Sequence, residues 1–291
     1  VFKRLCVIGT GLIGGSIARA ARAQGLCQEV VAFGREKNLP NLQLAKQLGV
    51  IDQFYTDIAA ALEGSDFVMI ATPVGSMQSI FELIKPYWND RALYSDAGST
   101  KASVVAAVNA VFGYVPNNFV PAHPIAGAER SGVDASDAEL FKNRRLIITP
   151  LDDTNPQAVD KLSRFWQQIG SSVSVMSVEH HDTVLAATSH LPHLLAFALV
   201  GLLGRKDEQR EIFRYAAGGF KDFSRIASSD PTMWMDICLA NKQEIIPLLQ
   251  QFKAELNTIE QALAADQGQQ LFDTFTYARN ARQRFLDTLD D

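Results

Sequence analysis

Two stretches of the chain set chemistry-bearing residues at short, regular spacing. The run "ATSHLPHLLAFAL" (186–198) carries His190 and His193 around Pro192 inside an otherwise apolar segment. On a helix, positions i and i+3 are neighbours, so both imidazoles would share one face. Pro192 has no backbone N–H, which frees the carbonyl of Thr188 and kinks the helix there. The chain has 5 histidines in all, so using two at one spot calls for a reason. A third, His123, lies in "PAHPIAGAERSG", and "SDAGSTK" upstream holds Ser99 and Lys101. Imidazole exchanges protons near neutral pH and is suited to take a hydroxyl proton. Seen alone, His123 before a proline at a strand end reads as structural, and His190 and His193 also read as hydrogen-bonded core histidines at a domain interface. His123, His190 and His193 could in principle hold zinc, but no H-E-x-x-H motif is present and no metal is expected. "EHHD" (179–182) reads as a solvated helix start, and the serines of "DFSRIASSD" lack a nucleophile elbow.

A second kind of chemistry comes from "VIGTGLIGGS", where Gly9, Gly11 and Gly14 have the G-x-G-x-x-G spacing between a strand and a helix. The first glycine permits a tight turn, the second lets backbone approach a pyrophosphate, and the third allows close helix–sheet packing. The helix N-terminus then faces the phosphate charge. Leu12 and Ile13 within the loop, and Thr72 at the end of the third predicted strand, are expected to line the same dinucleotide. About 20 residues on, an NAD site would place a carboxylate at the strand tip. Here "FGREK" puts Gly34 and Arg35 there, so a guanidinium is ready to grip a 2′-phosphate, which favours NADP. NAD remains the alternative, with Arg35 stacking on adenine or facing solvent and Glu36 turning inward.

These residues need elements to position them. Apolar runs at 4–9, 29–34, 66–72, 91–96, 117–122, 145–150 and 171–178 read as strands, separated by helical patterns. Such alternation indicates a parallel sheet covered on both faces, an α/β Rossmann-type domain over 1–178. Loops after its strands gather at the carboxyl edge, which brings Ser99, Lys101 and His123 toward the cofactor. From 179 to 291 the texture is helical throughout. Asp230 and Pro231 mark a helix start, and Leu249, Phe252, Leu256, Ile259 and Leu263 form an apolar seam that packs on another helix, within the chain or in a partner subunit; a homodimer through this second, all-α domain is expected.

With 291 residues and 47% hydrophobic content, two domains of ordinary size are within reach. A net charge of −5 argues against nucleic-acid binding. No stretch reads as long and charge-free enough to span a bilayer. The 3 cysteines, Cys6, Cys27 and Cys238, are widely spaced in apolar surroundings and read as reduced thiols. "VFKRLCVIG" runs directly into a strand pattern with no leader segment, and a cytoplasmic location is expected.

Five motifs in order, "GTGLIGGS", "SDAGSTK", "HPIAGAERSG", "TSHLPHLLA" and "GGFKDFSRIASSDPTMW", closely resemble the prephenate/arogenate dehydrogenases of tyrosine biosynthesis, over essentially the whole chain. The resemblance implies oxidation of a cyclohexadiene carbinol by NAD(P) with loss of the ring carboxyl as CO2. It implies that His123 takes the hydroxyl proton and that Ser99 orients that imidazole. Arg225 would bind a substrate carboxylate. His193, with His190 and Trp234 beside it, would line a substrate cleft, and Lys101 would sit at the cofactor. The rival readings are another two-domain hydroxy-acid dehydrogenase and a protein that binds NADP without turnover.

Overall fold

Near-continuous apolar strands belong in the middle of a layered domain, and that is where they lie in the computed structural model, which describes residues 1–127 and 130–290. Strands β1 (Phe2–Ile8), β2 (Cys27–Phe33), β3 (Gln53–Tyr55), β4 (Phe67–Ile70), β5 (Leu93–Asp96) and β6 (Phe119–Val120) form one sheet in the order β3-β2-β1-β4-β5-β6. Every pairing in it is parallel. Helices α1 (Leu12–Ala23), α2 (Leu39–Gln47), α3 (Ile58–Leu62), α4 (Met77–Ile84), α5 (Ala102–Phe112) and α6 (Pro156–Gln168) accompany it. Because strand side chains alternate, β1 sends Leu5 and Val7 into one core, with Phe67, Phe165 and Trp166. Cys6 and Ile8 enter the other, with Phe81, Tyr94 and Phe119. The strand order reverses between β1 and β4, the switch point where such sheets bind ligands at their carboxyl edge.

The run 117–122 was expected to be one strand, but Pro121 divides it. β7 (Ala122–Pro124) leaves the large sheet to pair antiparallel with β8 (Arg145–Ile148). β8 in turn pairs parallel with β9 (Ser172–Val175). His123 therefore sits in a second, 3-stranded sheet, opposite Ile147. Ala128 and Glu129 of the "HPIAGAERSG" motif lie outside the described residues.

Next come α7 (Val178–Leu185), a π-turn over Ala186–His190, and α8 (Leu191–Gly204) with Pro192 in its first turn. The kink expected at Pro192 is thus a local widening of the helix, the kind of bulge that accompanies functional sites. Because the π-turn carries the helix through, Val178–Gly204 is by length and composition long and apolar enough to cross a membrane, which corrects the expectation that no such stretch exists. Three of its polar residues, His181, Asp182 and His190, are buried and hydrogen-bonded within the protein. Helices α9 (Gln209–Arg214) and α10 (Gly218–Ser224) and the 3-10 turn Arg225–Ser228 lead to α11 (Pro231–Ala240). Asp230 caps α11 by accepting the Met233 N–H at 2.8 Å, as its sequence predicts.

By contacts the chain divides into a unit spanning Val1–Lys242 and a smaller one spanning Gln243–Asp291. The smaller consists of most of α12 (Lys242–Ala264) and α13 (Gly268–Asp290). Leu256 and Leu263 of the predicted seam are 48% and 60% exposed, and Phe272, Phe275, Tyr277 and Phe285 of α13 are also largely exposed.

Candidate active site

The glycine loop is built by exclusion of side chains. Gly9 has φ +99°, and a Cβ there would lie 2.7 Å from the Ala71 carbonyl oxygen. A Cβ on Gly14 would fall 2.0 Å from the Gly9 oxygen, so the third glycine lets α1 sit against the strand end. Gly11 is different: a Cβ there would meet nothing within 4 Å. Open space thus faces the N-terminus of α1, whose cap residue is Gly11 itself and whose first turn carries no acidic side chain. The N–H groups of that turn, those of Leu12 and Ile13 among them, present the positive end of the helix to an anion. Thr72, half-buried just beyond β4, borders the same loop, with its Cγ2 3.0 Å from where a Gly9 Cβ would be. This cradle fits a dinucleotide pyrophosphate. At the tip of β2, Gly34 makes room for Leu42, whose Cδ1 would be 2.9 Å from a Cβ there. Exposed Arg35 donates from Nη2 to Ser79 Oγ at 3.0 Å.

Lys101 has a different job from the cofactor contact expected of it. It is fully buried, and its ammonium is paired with Asp96 and donates to the Ala122 carbonyl at 2.6 Å. Asp96 Oδ1 accepts the Ala122 N–H at 3.2 Å. The pair therefore grips both backbone groups of the residue before His123 and ties the loop after β5 to β7. Burial pushes the Lys101 ammonium downward, and Asp96 opposes that. A buried pair of this kind is weak evidence for stability but positions what it touches.

His123 is the centre of a hydrogen-bonded chain. Its Nδ1 lies 2.9 Å from His181 Nε2, and His181 Nδ1 lies 2.7 Å from Asp182 Oδ1. Asp182 Oδ1 also accepts the Lys101 N–H at 2.8 Å, and its Oδ2 accepts the Ala102 N–H at 2.9 Å. The carboxylate thus caps α5, and these bonds together with His181 keep it ionised more readily than an ordinary aspartate, against the effect of burial. An ionised carboxylate only accepts, so the His181 proton must be on Nδ1 and its Nε2 must be a lone pair. His123 must then donate from Nδ1, which leaves the lone pair of its Nε2 for a reactant. Burial, followed by the His181, Lys101 and His190 charges, holds His123 well below the usual imidazole range. At neutral pH it is an uncharged proton acceptor of fixed tautomer.

Sequence reasoning missed His181 and Asp182 by assigning "EHHD" to capping. The cap is Ser177, whose Oγ accepts the His180 N–H at 3.1 Å, and this releases the next two residues for the site. A Ser just before an acidic-histidine helix start was the available signal. Ser99, half-buried after β5, has no side-chain hydrogen bond among the described residues, and the partner that fixes the His123 ring is His181.

The π-turn delivers the remaining residues. His190 is 1% exposed, with Nδ1 3.1 Å from Asn241 Nδ2. Burial lowers it to about pKa 4. His193 donates from Nδ1 to the Ser189 carbonyl at 2.9 Å, and its ring stacks on Trp234 with centroids 3.6 Å apart. Burial also pushes His193 down; the Ser189 bond opposes this, while the nearby Arg225 charge reinforces it. Arg225 lies in the turn packed on α8. The charge of His190 bears on His123, that of His193 on His190, and that of Arg225 on His193. Among the described residues no group of three His, Cys, Asp or Glu side chains is arranged to hold a metal.

A doubly wound sheet with a glycine cradle at its switch point, joined to a neutral buried base, defines a pyridine-nucleotide-dependent dehydrogenase. Residues 17–175 match the prephenate dehydrogenase nucleotide-binding domain, and residues 177–277 match the prephenate dehydrogenase dimerization domain. A cyclohexadienyl dehydrogenase from Zymomonas mobilis is 38% identical over 285 residues, spanning 97% of this chain and 96% of that one. A Bacillus subtilis prephenate dehydrogenase is 34% identical over 282 residues, 96% of this chain and 75% of its own. The crystal structure of prephenate dehydrogenase from A. aeolicus in complex with hydroxyphenyl propionate and NAD+ has a TM-score of 0.89 at 33% identity, covering 98% and 99% of the two chains. The chain belongs to the prephenate dehydrogenase family.

Proposed function

We propose that this protein oxidatively decarboxylates prephenate, arogenate or both, giving 4-hydroxyphenylpyruvate or tyrosine. The observation that carries the reading is the Asp182–His181–His123 chain, which leaves an acceptor lone pair on His123 Nε2. The substrate hydroxyl donates to that nitrogen. As the carbinol carbon loses hydride, His123 takes the hydroxyl proton. The ring carboxylate then leaves as CO2, and the electrons of the broken C–C bond make the ring aromatic. His123 returns its proton to the phenolate oxygen, so the base is regenerated and charge balances. The nicotinamide, when bound, supplies the hydride acceptor. Arg225 suits a bidentate grip on a substrate carboxylate, with His193 and Trp234 walling the cleft and Ser99 beside the reacting hydroxyl.

Arg35 at the β2 tip supports a preference for NADP, since its guanidinium can pair with a 2′-phosphate. The exposed apolar residues of α12 and α13 support a homodimer through the helical part, and the start of α7 at Val178 supports a functional division between residues 1–178 and 179–291. A cytoplasmic setting suits the free thiols of Cys6, Cys27 and Cys238.

The test is steady-state kinetics of the purified protein with prephenate or arogenate and either cofactor, following reduced cofactor and CO2 release together. Stoichiometric appearance of both with at least one substrate is expected. Turnover of simple hydroxy acids with no CO2, or cofactor binding without turnover, would overturn the reading.

A further inference from the structure

Asn241, at the end of α11, is 3% exposed and uses one amide group twice. Its Nδ2 donates to the Asp182 carbonyl at 2.8 Å and lies 3.1 Å from His190 Nδ1. The carbonyl can only accept, which fixes the amide orientation: Nδ2, with two hydrogens, must be the atom facing both partners. His190 Nδ1 therefore receives a hydrogen bond and must be a lone pair. In a neutral ring the proton is then on Nε2. That Nε2 is buried and has no hydrogen-bond partner among the described residues. A buried donor left without an acceptor is costly, and a ligand oxygen would supply one.

We propose that Asn241 is a positioning residue that holds His190 as its Nε2–H tautomer, so that His190 donates a hydrogen bond to an oxygen of the bound substrate. This rests on the proposed dehydrogenase reading, and it makes the two buried histidines opposite in character. His123 has its proton on Nδ1 and offers a lone pair; His190 has its proton on Nε2 and offers a donor. One accepts from the substrate and the other donates to it, and both assignments run back to Asp182, one through its carboxylate and one through its carbonyl. The pairing would select a ligand that presents a hydroxyl hydrogen and an oxygen lone pair together, as an alcohol or a hydroxy-carboxylate does. His190 is a neutral donor, so it can serve this role without adding a charge beside the base.

The test is nitrogen-detected proton NMR of the histidine-labelled protein, combined with kinetics of Asn241→Asp. In the resting wild-type protein at neutral pH, His190 should carry its proton on Nε2, and adding hydroxyphenyl propionate with NAD+ should shift that N–H resonance. In Asn241→Asp the new carboxylate accepts from Nδ1, so the His190 proton moves to Nδ1. kcat/KM for the cyclohexadiene substrate should fall about 10- to 100-fold, the size of an unmade buried hydrogen bond, with cofactor affinity unchanged. If Asn241→Asp fails to fold, His190→Gln and His190→Leu serve instead. Glutamine keeps an N–H donor and should retain at least about tenfold more kcat/KM than leucine. A wild-type proton on Nδ1, a flipped tautomer with full kcat/KM, or equal activity in His190→Gln and His190→Leu would each overturn the proposal. Failure of the enzymatic reading itself would look different: no turnover by the wild type, with the resting tautomer still legible.

Discussion

Acidification from about pH 7.5 to pH 5 should destabilise this protein, and His190 gives the part that can be worked numerically. Its folded pKa is about 4, against an ordinary 6.5. A depressed histidine is protonated first in the unfolded chain, so its stabilising effect is complete above 6.5 and is lost as pH falls toward 4. A shift of about 2.5 units corresponds to about 3 kcal/mol in full, of which about 2 kcal/mol is gone by pH 5. His190 is 1% exposed, so solvent screening takes little from this. His123, His181 and His193 are also lowered, chiefly by burial, and add losses of the same sign below 6.5. The lowered Asp182 adds its own only below the ordinary aspartate range. Urea unfolding at constant ionic strength, repeated across the interval, measures the slope. His190→Gln should flatten it by close to one proton. A stability that is level or rises toward pH 5, or a His190→Gln slope equal to wild type, would refute the burial argument.

Three further outcomes follow from named contacts. His181→Leu removes the acceptor for His123 Nδ1–H, so kcat should drop about 10- to 100-fold while cofactor affinity, read by fluorescence titration, stays constant. Arg35→Ser should raise KM for NADP about tenfold or more and leave KM for NAD within a few-fold; equal effects on both would remove Arg35 from the 2′-phosphate. Arg225→Ala should raise the substrate KM about 10- to 100-fold with kcat changed little, since a carboxylate grip serves ground state and transition state alike. An unchanged KM would take Arg225 out of the site.

Much of this was legible in the sequence because local rules coincide with the fold. The glycine spacing, the strand runs up to residue 96 and the Asp230-Pro231 helix start each depend on neighbours a few residues away, and each appears where expected. β3 was not legible, because three half-buried residues leave no periodic trace. The split at Pro121 hid the fact that His123 belongs to a second sheet. The carboxyl-edge rule brings Lys101 toward the cofactor, and only the approach of Asp96 and Ala122 in space turns its charge inward. His181 and Asp182 were set aside because their value lies in partners some 60 to 80 residues away. Asn241 gave no signal at all, since a lone amide at a helix end is ordinary until His190 and the Asp182 carbonyl are seen around it.

The base at residue 123 is the claim on which the chemistry turns, and His123→Asn tests it most directly. With prephenate or arogenate at saturating cofactor, kcat should fall about 10²- to 10⁴-fold, while the dissociation constant of the reduced cofactor stays within about twofold of wild type. Turnover within about tenfold of wild type would mean that another group takes the proton.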